Sequence, residues 1–293
     1  MDIEIDTYSV KIIENNLDNI KNISNKILDN NLVIFPTDSV FELGCFGLDE
    51  NAINNLYNTK QKSLNDSIKL NCLGFYDVIP LVHISEKELK LFKLIVDKFW
   101  PGPLSILLKS NNEILPNKLI NKDGYTCFQS PKHPIIRKLI QYSSSPIASS
   151  GANISNKIRS TCLDHVLDCF GDKNIYIFDD KYTSKYGYDT TLIQIDNNNI
   201  NILRHGPISI DKLENFINLN ISDIKYNYLL LNNYIKYNKN IFTFNIIDID
   251  IKINQNIIDN YFDKTFLIDF NKLCNKYKNK FIGYVDLSEI GDI

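Results

Sequence analysis

The spacing of apolar residues changes near residue 31 of the chain. Apolar residues recur every three or four positions within residues 14–30, which predicts an amphipathic helix. They are Leu17, Ile20, Ile23, Ile27 and Leu28. The run at 32–35 is continuously apolar and ends at Pro36, which is typical of a short buried strand. The chain therefore starts with a helix that is followed by a strand.

The same alternation of patterns continues to about residue 217. Helical spacing occurs at 52–57, 86–99, after Pro134, at 162–170 and at 210–217. Short apolar runs that predict strands lie between these segments, at 105–108, 126–128, 146–148, 175–178, 191–195 and 200–203. Interleaved helices and strands predict an α/β sheet covered by helices.

A polar stretch rich in Tyr and Asn follows the last of these helices. Beyond it, a shorter series of strand and helix patterns runs from 241 to 287. We therefore expect a main domain at 1–213, a linker at 214–225 and a small accessory α/β domain at 226–293.

Composition changes this picture only slightly. The chain has 39 Asn and 3 Ala, so we interpret the scattered Asn residues as surface and loop positions that carry little structural signal. It is 44% hydrophobic and 23% charged, which excludes wholesale disorder. A net charge of -3 argues against a grip on nucleic acid by the whole chain, but it leaves a local basic cleft open.

The six cysteines form no CxxC pair and no cluster with zinc spacing, so each is expected to be a small buried hydrophobe. We expect no metal held by protein side chains. The N-terminus is acidic and no apolar run reaches the roughly 20 residues of a membrane span. These features predict a cytoplasmic protein with no membrane partner.

Four segments carry a recognisable series of motifs in a fixed order. They are Phe35–Cys45, Phe99–Leu104, Ser130–Pro134 and Ile202–Pro207. Together they resemble the YrdC-type threonylcarbamoyl-adenylate synthases, and the resemblance spans roughly 31–209. It implies a YrdC-like twisted mixed sheet with flanking helices, to which the small C-terminal α/β domain would be added.

The resemblance also implies an activity. The family joins L-threonine, bicarbonate and ATP into threonylcarbamoyl-AMP and releases pyrophosphate, and the product serves the threonylcarbamoyl-adenosine modification of tRNA. ATP as substrate, Mg²⁺, and tRNA or tRNA-modification proteins as partners are implied in the same way. The triphosphate, the threonine carboxylate and the carbamate oxygens are all negative. Fixed cations and hydrogen-bond donors must therefore surround the site.

Carried over to this sequence, the resemblance assigns catalytic roles to Thr37, in the first segment, and to Lys60 and Lys62, which stand where the family has KxRP. It assigns substrate binding to Thr37 and Ser39. The two lysines would also bind the nucleotide. Lys62 stands where the family has Arg, so the charge is present without the bidentate fork. Two other interpretations stay open: Thr37 caps a turn after Pro36, and the lysines belong to a solvated basic loop.

The resemblance assigns nucleotide binding to Arg204, in the last of the four segments, and to Ser150 and Asn153, which lie where the family has PSAN. Gly151 stands where the family has a serine that contacts the nucleotide, and the adjacent serines could substitute for it. An ordinary Ser/Gly turn is an equally good interpretation of the serines, and a structural ion pair is the alternative for Arg204.

The resemblance assigns substrate binding to Gln129, Ser149 and Thr190. Gln129 replaces the family's Arg for the threonine carboxylate, and a neutral amide cannot neutralise that charge. Lys132 or Arg137 could compensate. His133 is expected to cap or pack the helix that follows rather than act as a general base.

Three functions therefore stay open at this stage. The first is an active synthase. The second is a divergent paralogue that binds nucleotide or RNA without synthase activity, which the changes at Lys62, Gln129 and Gly151 favour. The third is another carbamoyl-transfer enzyme on the same fold.

Overall fold

The structure is a computed structural model. It describes residues 9–61, 68–154, 159–179, 184–197, 199–221 and 224–228, and the backbone of two short strands at 243–245 and 282–284. Lys62, Cys274 and almost all of the predicted accessory domain lie outside the described residues.

The described helices follow the predicted amphipathic segments, apart from the short one at Phe75–Val78, which the apolar pattern did not predict. They are α1 (Leu17–Leu28), α2 (Glu50–Lys60), α3 (Phe75–Val78), α4 (Glu86–Phe99), α5 (Pro134–Ser143), α6 (Leu163–Phe170) and α7 (Ile210–Asn218). Their starts have ordinary capping chemistry: Asn16, Asp49, Ser85 and Ser209 each accept a hydrogen bond from the first turn. His133 caps α5 through Nδ1, which confirms the capping interpretation of that residue.

The strands include every one predicted up to residue 203 and several that the apolar pattern did not reveal. Of the strand patterns between 241 and 287, only 243–245 and 282–284 lie within the described residues. The described strands are β1 (Lys11–Glu14), β2 (Val33–Phe35), β3 (Glu42–Phe46), β4 (Lys69–Asn71), β5 (Leu104–Lys109), β6 (Tyr125–Gln129), β7 (Ile147–Gly151), β8 (Tyr176–Asp179), β9 (Thr191–Asp196), β10 (Asn199–Arg204), β11 (Lys225–Tyr228), β12 (Thr243–Asn245) and β13 (Ile282–Tyr284). Pattern alone missed β4 because it is three residues long and has polar residues at both ends.

The first eleven strands form one mixed sheet in the order β1-β8-β2-β3-β7-β4-β6-β5-β9-β10-β11. The sheet contains antiparallel pairs, such as β3 with β7, and parallel pairs, such as β4 with β6. This arrangement confirms the expected mixed α/β sheet. The separate pair β12 and β13 is antiparallel.

Successive side chains along each strand point to opposite faces of the sheet, so each face carries an apolar layer. On one face, Val33, Phe35 and Ile147 pack with the buried sides of α1 and α5. On the opposite face, a larger cluster joins the central strands to α2, α4, α6 and α7. Helices α1 and α5 pack on the β2, β3 and β7 part of the first face, and polar strand residues cover its continuation towards β4, β6 and β5.

The end of the main unit differs from the prediction. Helix α7 continues to Asn218, and β11 pairs in parallel with β10, so much of the predicted linker at 214–225 belongs to the main sheet and its last helix. The cause is the polar alternation of β11, which hides an edge strand from a search for apolar runs. A second domain beyond Tyr228 stays a prediction.

Two other expectations have an outcome within the described residues. Four of the described cysteines, Cys45, Cys72, Cys127 and Cys162, are buried, as expected for small hydrophobes. None of the helices described is long and apolar enough to cross a membrane.

Candidate functional site

Six polar residues from five strands form one continuous surface on the face of the sheet that α1 and α5 share. We call this surface the polar floor; its members are Glu42, Lys69, Asn71, Ser105, Gln129 and Ser149. The strand registers bring them together, since Lys69 lies opposite Ser149 and Asn71 opposite Gln129, which in turn lies opposite Ser105. Residues opposite each other in a sheet share a face. Apart from Lys69, the side chains of the polar floor are buried.

One end of the polar floor is organised by Glu42. Its carboxylate accepts a hydrogen bond from the Ser149 hydroxyl and forms an ion pair with Lys69. Asn71 donates to the Ser149 hydroxyl at 2.6 Å. The sequence analysis named Ser149 alone among these four. The alternation Lys69-Leu70-Asn71, with polar residues on one face, was the signal that could have revealed two of the others.

The other end of the polar floor carries Gln129, whose side-chain amide has a hydrogen-bond partner for its oxygen only. The Ser105 hydroxyl donates to its Oε1 at 3.4 Å, while its Nε2 is buried and has no hydrogen-bond partner among the described residues. Asn71 Oδ1, on the neighbouring strand, is also buried without a partner. A buried donor and a buried acceptor without partners cost free energy, so both are suited to contact a polar ligand.

A short chain of hydrogen bonds links Gln129 to the predicted nucleotide side of the site. The Ser105 hydroxyl lies 2.6 Å from that of Thr190. Arg204 donates from Nη2 to the same Thr190 hydroxyl at 3.2 Å and from Nε to the Thr190 carbonyl at 2.9 Å. Gln129, Thr190 and Arg204, which three separate motifs singled out, therefore lie in one network.

Gly206 explains how Arg204 reaches Thr190. A Cβ at Gly206 would lie 2.0 Å from the backbone nitrogen of Thr191, so the close approach of these two segments requires glycine. The Thr191 hydroxyl closes the contact by donating to the Ile208 carbonyl at 2.8 Å.

Asp189, which the sequence analysis did not select, holds two arginines together. Its carboxylate lies 2.9 Å from Nη2 of Arg159 and 3.6 Å from Nη1 of Arg204. Burial raises the pKa of Asp189, but the positive charges of Arg159, Arg204 and Lys69 outweigh burial and hold it well below its usual range. Asp189 is therefore ionised at neutral pH. The structural ion pair considered for Arg204 is present, although the guanidinium remains partly exposed.

Lys60 lies at the C-terminal end of α2 and is almost fully buried. Its ammonium donates to the carbonyls of Gly151 and Asn153, the latter at 2.7 Å. Lys60 thus fixes the turn after β7. Asn153 accepts a hydrogen bond from Arg159 at 3.4 Å, so Lys60, Asn153 and the arginines belong to the same end of the site.

Thr37 and Ser39 form a compact hydroxyl turn after β2. Thr37 Oγ1 donates to the Val40 carbonyl at 2.6 Å and accepts from the backbone nitrogens of Ser39 and Val40. The Ser39 hydroxyl lies 3.0 Å from that of Thr37. The turn-capping interpretation of Thr37 therefore describes what the hydroxyl does here. A contact of either hydroxyl with substrate stays a prediction.

Three more residues named in the sequence analysis also lie off the polar floor. Ser150 lies opposite Leu43, so it faces the other side of the sheet from Ser149. Arg137 donates to the Ser130 hydroxyl and to the carbonyls of Pro131 and Leu73, and so it fixes the loop after Gln129 instead of reaching its amide. Lys132 is exposed.

A family model for the Sua5/YciO/YrdC domain, described as "Telomere recombination", matches residues 25–206, which is more than half of the chain and includes every site residue described above.

The chain belongs to the Sua5/YciO/YrdC family.

Curated members of the Sua5/YciO/YrdC family show how far the likeness extends. The threonylcarbamoyl-AMP synthase of Pyrococcus abyssi is 30% identical over 191 residues, which cover 65% of this chain and 55% of that protein. That of Bacillus subtilis is 25% identical over 186 residues, covering 64% and 53%. This chain spans about half the length of both relatives.

Solved structures agree with this membership. The crystal structure of P. abyssi Sua5 complexed with L-threonine superposes with a TM-score of 0.65 at 26% identity, covering 74% of this chain and 62% of that one. Escherichia coli YciO superposes with a TM-score of 0.60 at 19% identity, covering 70% and 98%, which shows the shared fold. The fold predicted from the sequence is thereby confirmed.

The acidic groups of the site are already engaged with cations. Glu42 pairs with Lys69, and Asp189 pairs with Arg159 and Arg204. Within the described part of the chain, no group of three His, Cys, Asp or Glu residues could hold a metal ion.

Proposed function

We propose that this protein is an L-threonylcarbamoyladenylate synthase, which converts L-threonine, bicarbonate and ATP into threonylcarbamoyl-AMP, pyrophosphate and water. The names of the curated relatives and the L-threonine complex of P. abyssi Sua5 support the proposal. The family match covers residues 25–206, the range that contains the whole candidate site.

One observation carries the proposal. The hydrogen bonds from Gln129 through Ser105 and Thr190 to Arg204 join the predicted threonine side of the site to the predicted nucleotide side on one surface. A reaction between a bound amino acid and a bound nucleotide requires such adjacency, because the two must be held in contact in a fixed orientation.

The reaction makes two bonds. The threonine amine forms a bond to the bicarbonate carbon with loss of water, and the resulting carbamate oxygen forms a bond to the α-phosphorus as pyrophosphate leaves. Both steps gather negative charge. Arg204 and Arg159 supply fixed positive charge beside the phosphates, and Gln129 Nε2 is a donor for the substrate carboxylate.

The product would supply the threonylcarbamoyl-adenosine modification of tRNA, so tRNA or tRNA-modification proteins are proposed partners, in translation and in the cytoplasm. Mg²⁺ enters as MgATP. Lys60, whose ammonium holds the turn of Gly151 and Asn153, is proposed to shape the nucleotide pocket from beneath.

A second function is favoured by one residue of the polar floor. Gln129 is neutral at the position that the family pattern gives to Arg. A neutral amide attracts a substrate carboxylate less strongly than a guanidinium does. A nucleotide-binding paralogue without synthase activity is therefore the alternative.

Pyrophosphate release distinguishes the two functions. Purified full chain is incubated with MgATP, L-threonine and bicarbonate, and then with each of the last two omitted in turn. A synthase releases pyrophosphate only in the complete mixture. Binding of ATP with no release in any mixture would overturn the synthase proposal and support the paralogue.

A further inference from the structure

Hydrogen bonds between side chains cross the polar floor from two directions and stop at β4 and β6. From the side of β10, Arg204 Nη2 donates to the Thr190 hydroxyl at 3.2 Å, and that hydroxyl lies 2.6 Å from the hydroxyl of Ser105. Ser105 in turn donates to Gln129 Oε1 at 3.4 Å. This part of the series ends at the Gln129 amide nitrogen, which is buried and has no hydrogen-bond partner among the described residues.

The series from the other direction ends at Asn71. The Ser149 hydroxyl donates to the Glu42 carboxylate, and Asn71 Nδ2 donates to the Ser149 hydroxyl at 2.6 Å. Asn71 Oδ1 is buried and likewise lacks a partner in the described part of the chain. Asn71 lies opposite Gln129 in the parallel pair of β4 and β6, and neighbouring strands are about 4.8 Å apart, so one ligand atom above the two strands can contact both amides.

The charged residues at the two ends fix the direction of every hydrogen bond in the series. A guanidinium can only donate, so the Thr190 hydroxyl accepts from Arg204 and donates to Ser105. The carboxylate of Glu42, which is paired with Lys69, can only accept. The two side-chain amides between these ends must therefore point the same way, each with its nitrogen towards the acidic end of the polar floor.

The interruption between Asn71 and Gln129 therefore needs a ligand atom that accepts from one amide and donates to the other. A carboxylate oxygen would accept from Gln129 Nε2 but would face Asn71 Oδ1 as a second acceptor, and an ammonium group only donates. A neutral amine has a lone pair that must stay free to attack the bicarbonate carbon. A hydroxyl accepts and donates at one oxygen atom, so it fits both amides.

We propose that Asn71 and Gln129 together bind the side-chain hydroxyl of L-threonine, which makes Asn71 a specificity-determining residue for the amino acid. The hydroxyl donates to Asn71 Oδ1 and accepts one N–H of Gln129, whose second N–H remains for the threonine carboxylate. This inference rests on the proposed function, which supplies threonine as the ligand. The bound hydroxyl completes one unbroken series of donations from Arg204 to Glu42.

The experiment compares the binding of L-threonine and L-valine to the full chain by calorimetry, without nucleotide, so that no turnover occurs. Valine has nearly the shape of threonine but a methyl group in place of the hydroxyl, so it leaves both amides without a partner. Wild type should bind threonine roughly 100-fold more tightly than valine, the effect of two hydrogen bonds. Asn71→Leu should bind threonine about tenfold more weakly, with its affinity for valine unchanged or higher.

Asn201→Leu is the matched control. Asn201 is also a buried strand asparagine with side-chain hydrogen bonds, since it donates to Gln194 at 3.1 Å and accepts from Asn227 at 2.8 Å. This variant should keep the wild-type preference for threonine over valine. A role of Asn71 in the fold alone would instead lower the affinity of Asn71→Leu for both amino acids alike.

The proposal is overturned if wild type binds threonine and valine equally or binds neither, or if Asn71→Leu loses both amino acids alike. It is also overturned if Asn71→Leu keeps the wild-type preference, which would mean that a water molecule joins the two amides, or if Asn201→Leu loses that preference. Should Asn71→Leu fail to fold, wild type decides with L-allo-threonine, whose hydroxyl and methyl are exchanged. Binding of this isomer as tightly as threonine would overturn the proposal, and weaker binding would support it.

Pyrophosphate release separates this inference from the proposed function. Release by wild type with threonine and valine alike would contradict the inference and leave the synthase in place. A preference for threonine that depends on Asn71, in a chain that releases no pyrophosphate, would contradict the synthase alone.

Discussion

The Lys60 ammonium donates a hydrogen bond of 2.7 Å to the carbonyl oxygen of Asn153, which lies 93 positions later in the sequence. A second donation from the same ammonium, to the Gly151 carbonyl, fixes both ends of the turn that follows β7. This turn carries Asn153 and lies under Arg159, so a buried lysine supports the pocket in which we place the phosphates.

Replacing Lys60 with Met should therefore affect both stability and binding. The variant leaves two carbonyls short of a donor, which costs about 1–3 kcal/mol in the free energy of unfolding, and it releases the turn that positions Asn153. Urea unfolding and ATP titration measure the two effects. Lys93→Met, on an exposed helix position, is the control and should change stability by less than about 0.5 kcal/mol. If Lys60→Met unfolded and bound ATP as wild type does, the two hydrogen bonds would contribute nothing to stability or to binding.

Arg204→Ala should weaken ATP binding by about 1.5–3 kcal/mol, the scale of one charge-assisted hydrogen bond, and leave the fold intact because the guanidinium is partly exposed. Calorimetric titration gives the affinity, and a thermal melt checks the fold. Loss of folding in this variant would assign Arg204 a structural role only.

Gln129→Arg should lower the concentration of threonine needed for half-maximal pyrophosphate release, with little change for ATP, since it places a guanidinium beside the substrate carboxylate. Gln129→Leu is its counterpart. Because Nε2 is buried without a partner, the leucine variant should be as stable as wild type or more so, yet should bind threonine more weakly. Unchanged threonine use in both variants would place the amino acid elsewhere.

Lowering the pH should weaken the contribution of Asp189 to the stability of the folded state. Burial raises the pKa of Asp189, but Arg159, Arg204 and Lys69 more than offset burial and hold it below its ordinary value of 3.8. A depressed pKa gives stability that is fully present above the unfolded value and is lost as the pH falls through the folded value.

The matched comparison is between wild type and Asp189→Asn, each unfolded in urea at several pH values. The difference in unfolding free energy from wild type should be constant between about pH 7 and 5 and should shrink once the pH falls below roughly 4. A difference that grows on acidification has the wrong sign for this account.

Gly206→Ala should destabilise the protein by about 3 kcal/mol, because the new Cβ would meet the backbone of Thr190 and Thr191 at 2.0–2.6 Å. Gly74→Ala is the control, since nothing lies within 4 Å of a Cβ there. Chemical denaturation of both variants tests the prediction, which fails if the two behave alike.

Much of the fold could be predicted from the sequence because its signals are local. The spacing of Ile20, Ile23 and Ile27 marks α1, and the apolar run ending at Pro36 marks β2. Where a strand was short or polar, as in β4 and β11, the same signal was absent. Those strands form because their neighbours in the sheet satisfy their backbone groups, which is a non-local effect.

The site was predictable only in part. Motif order led to Gln129, Thr190 and Arg204, which do lie in one network, but not to Glu42, Lys69, Asp189 or Arg159. A one-residue step along β7 places Ser149 on the polar floor and Ser150 on the opposite face, a distinction that the motif itself does not contain.

The sequence by itself determined the helices, the longer strands and the family, because periodicity and motif order are properties of neighbouring residues. The tertiary structure alone decided which charges meet. Glu42 reaches Lys69, and Asp189 reaches both arginines, through strand registers and turns that join segments tens of residues apart. The electrostatic character of a site depends on the distances between its charges. Those distances are fixed only when the strands have paired and the turns between them have formed.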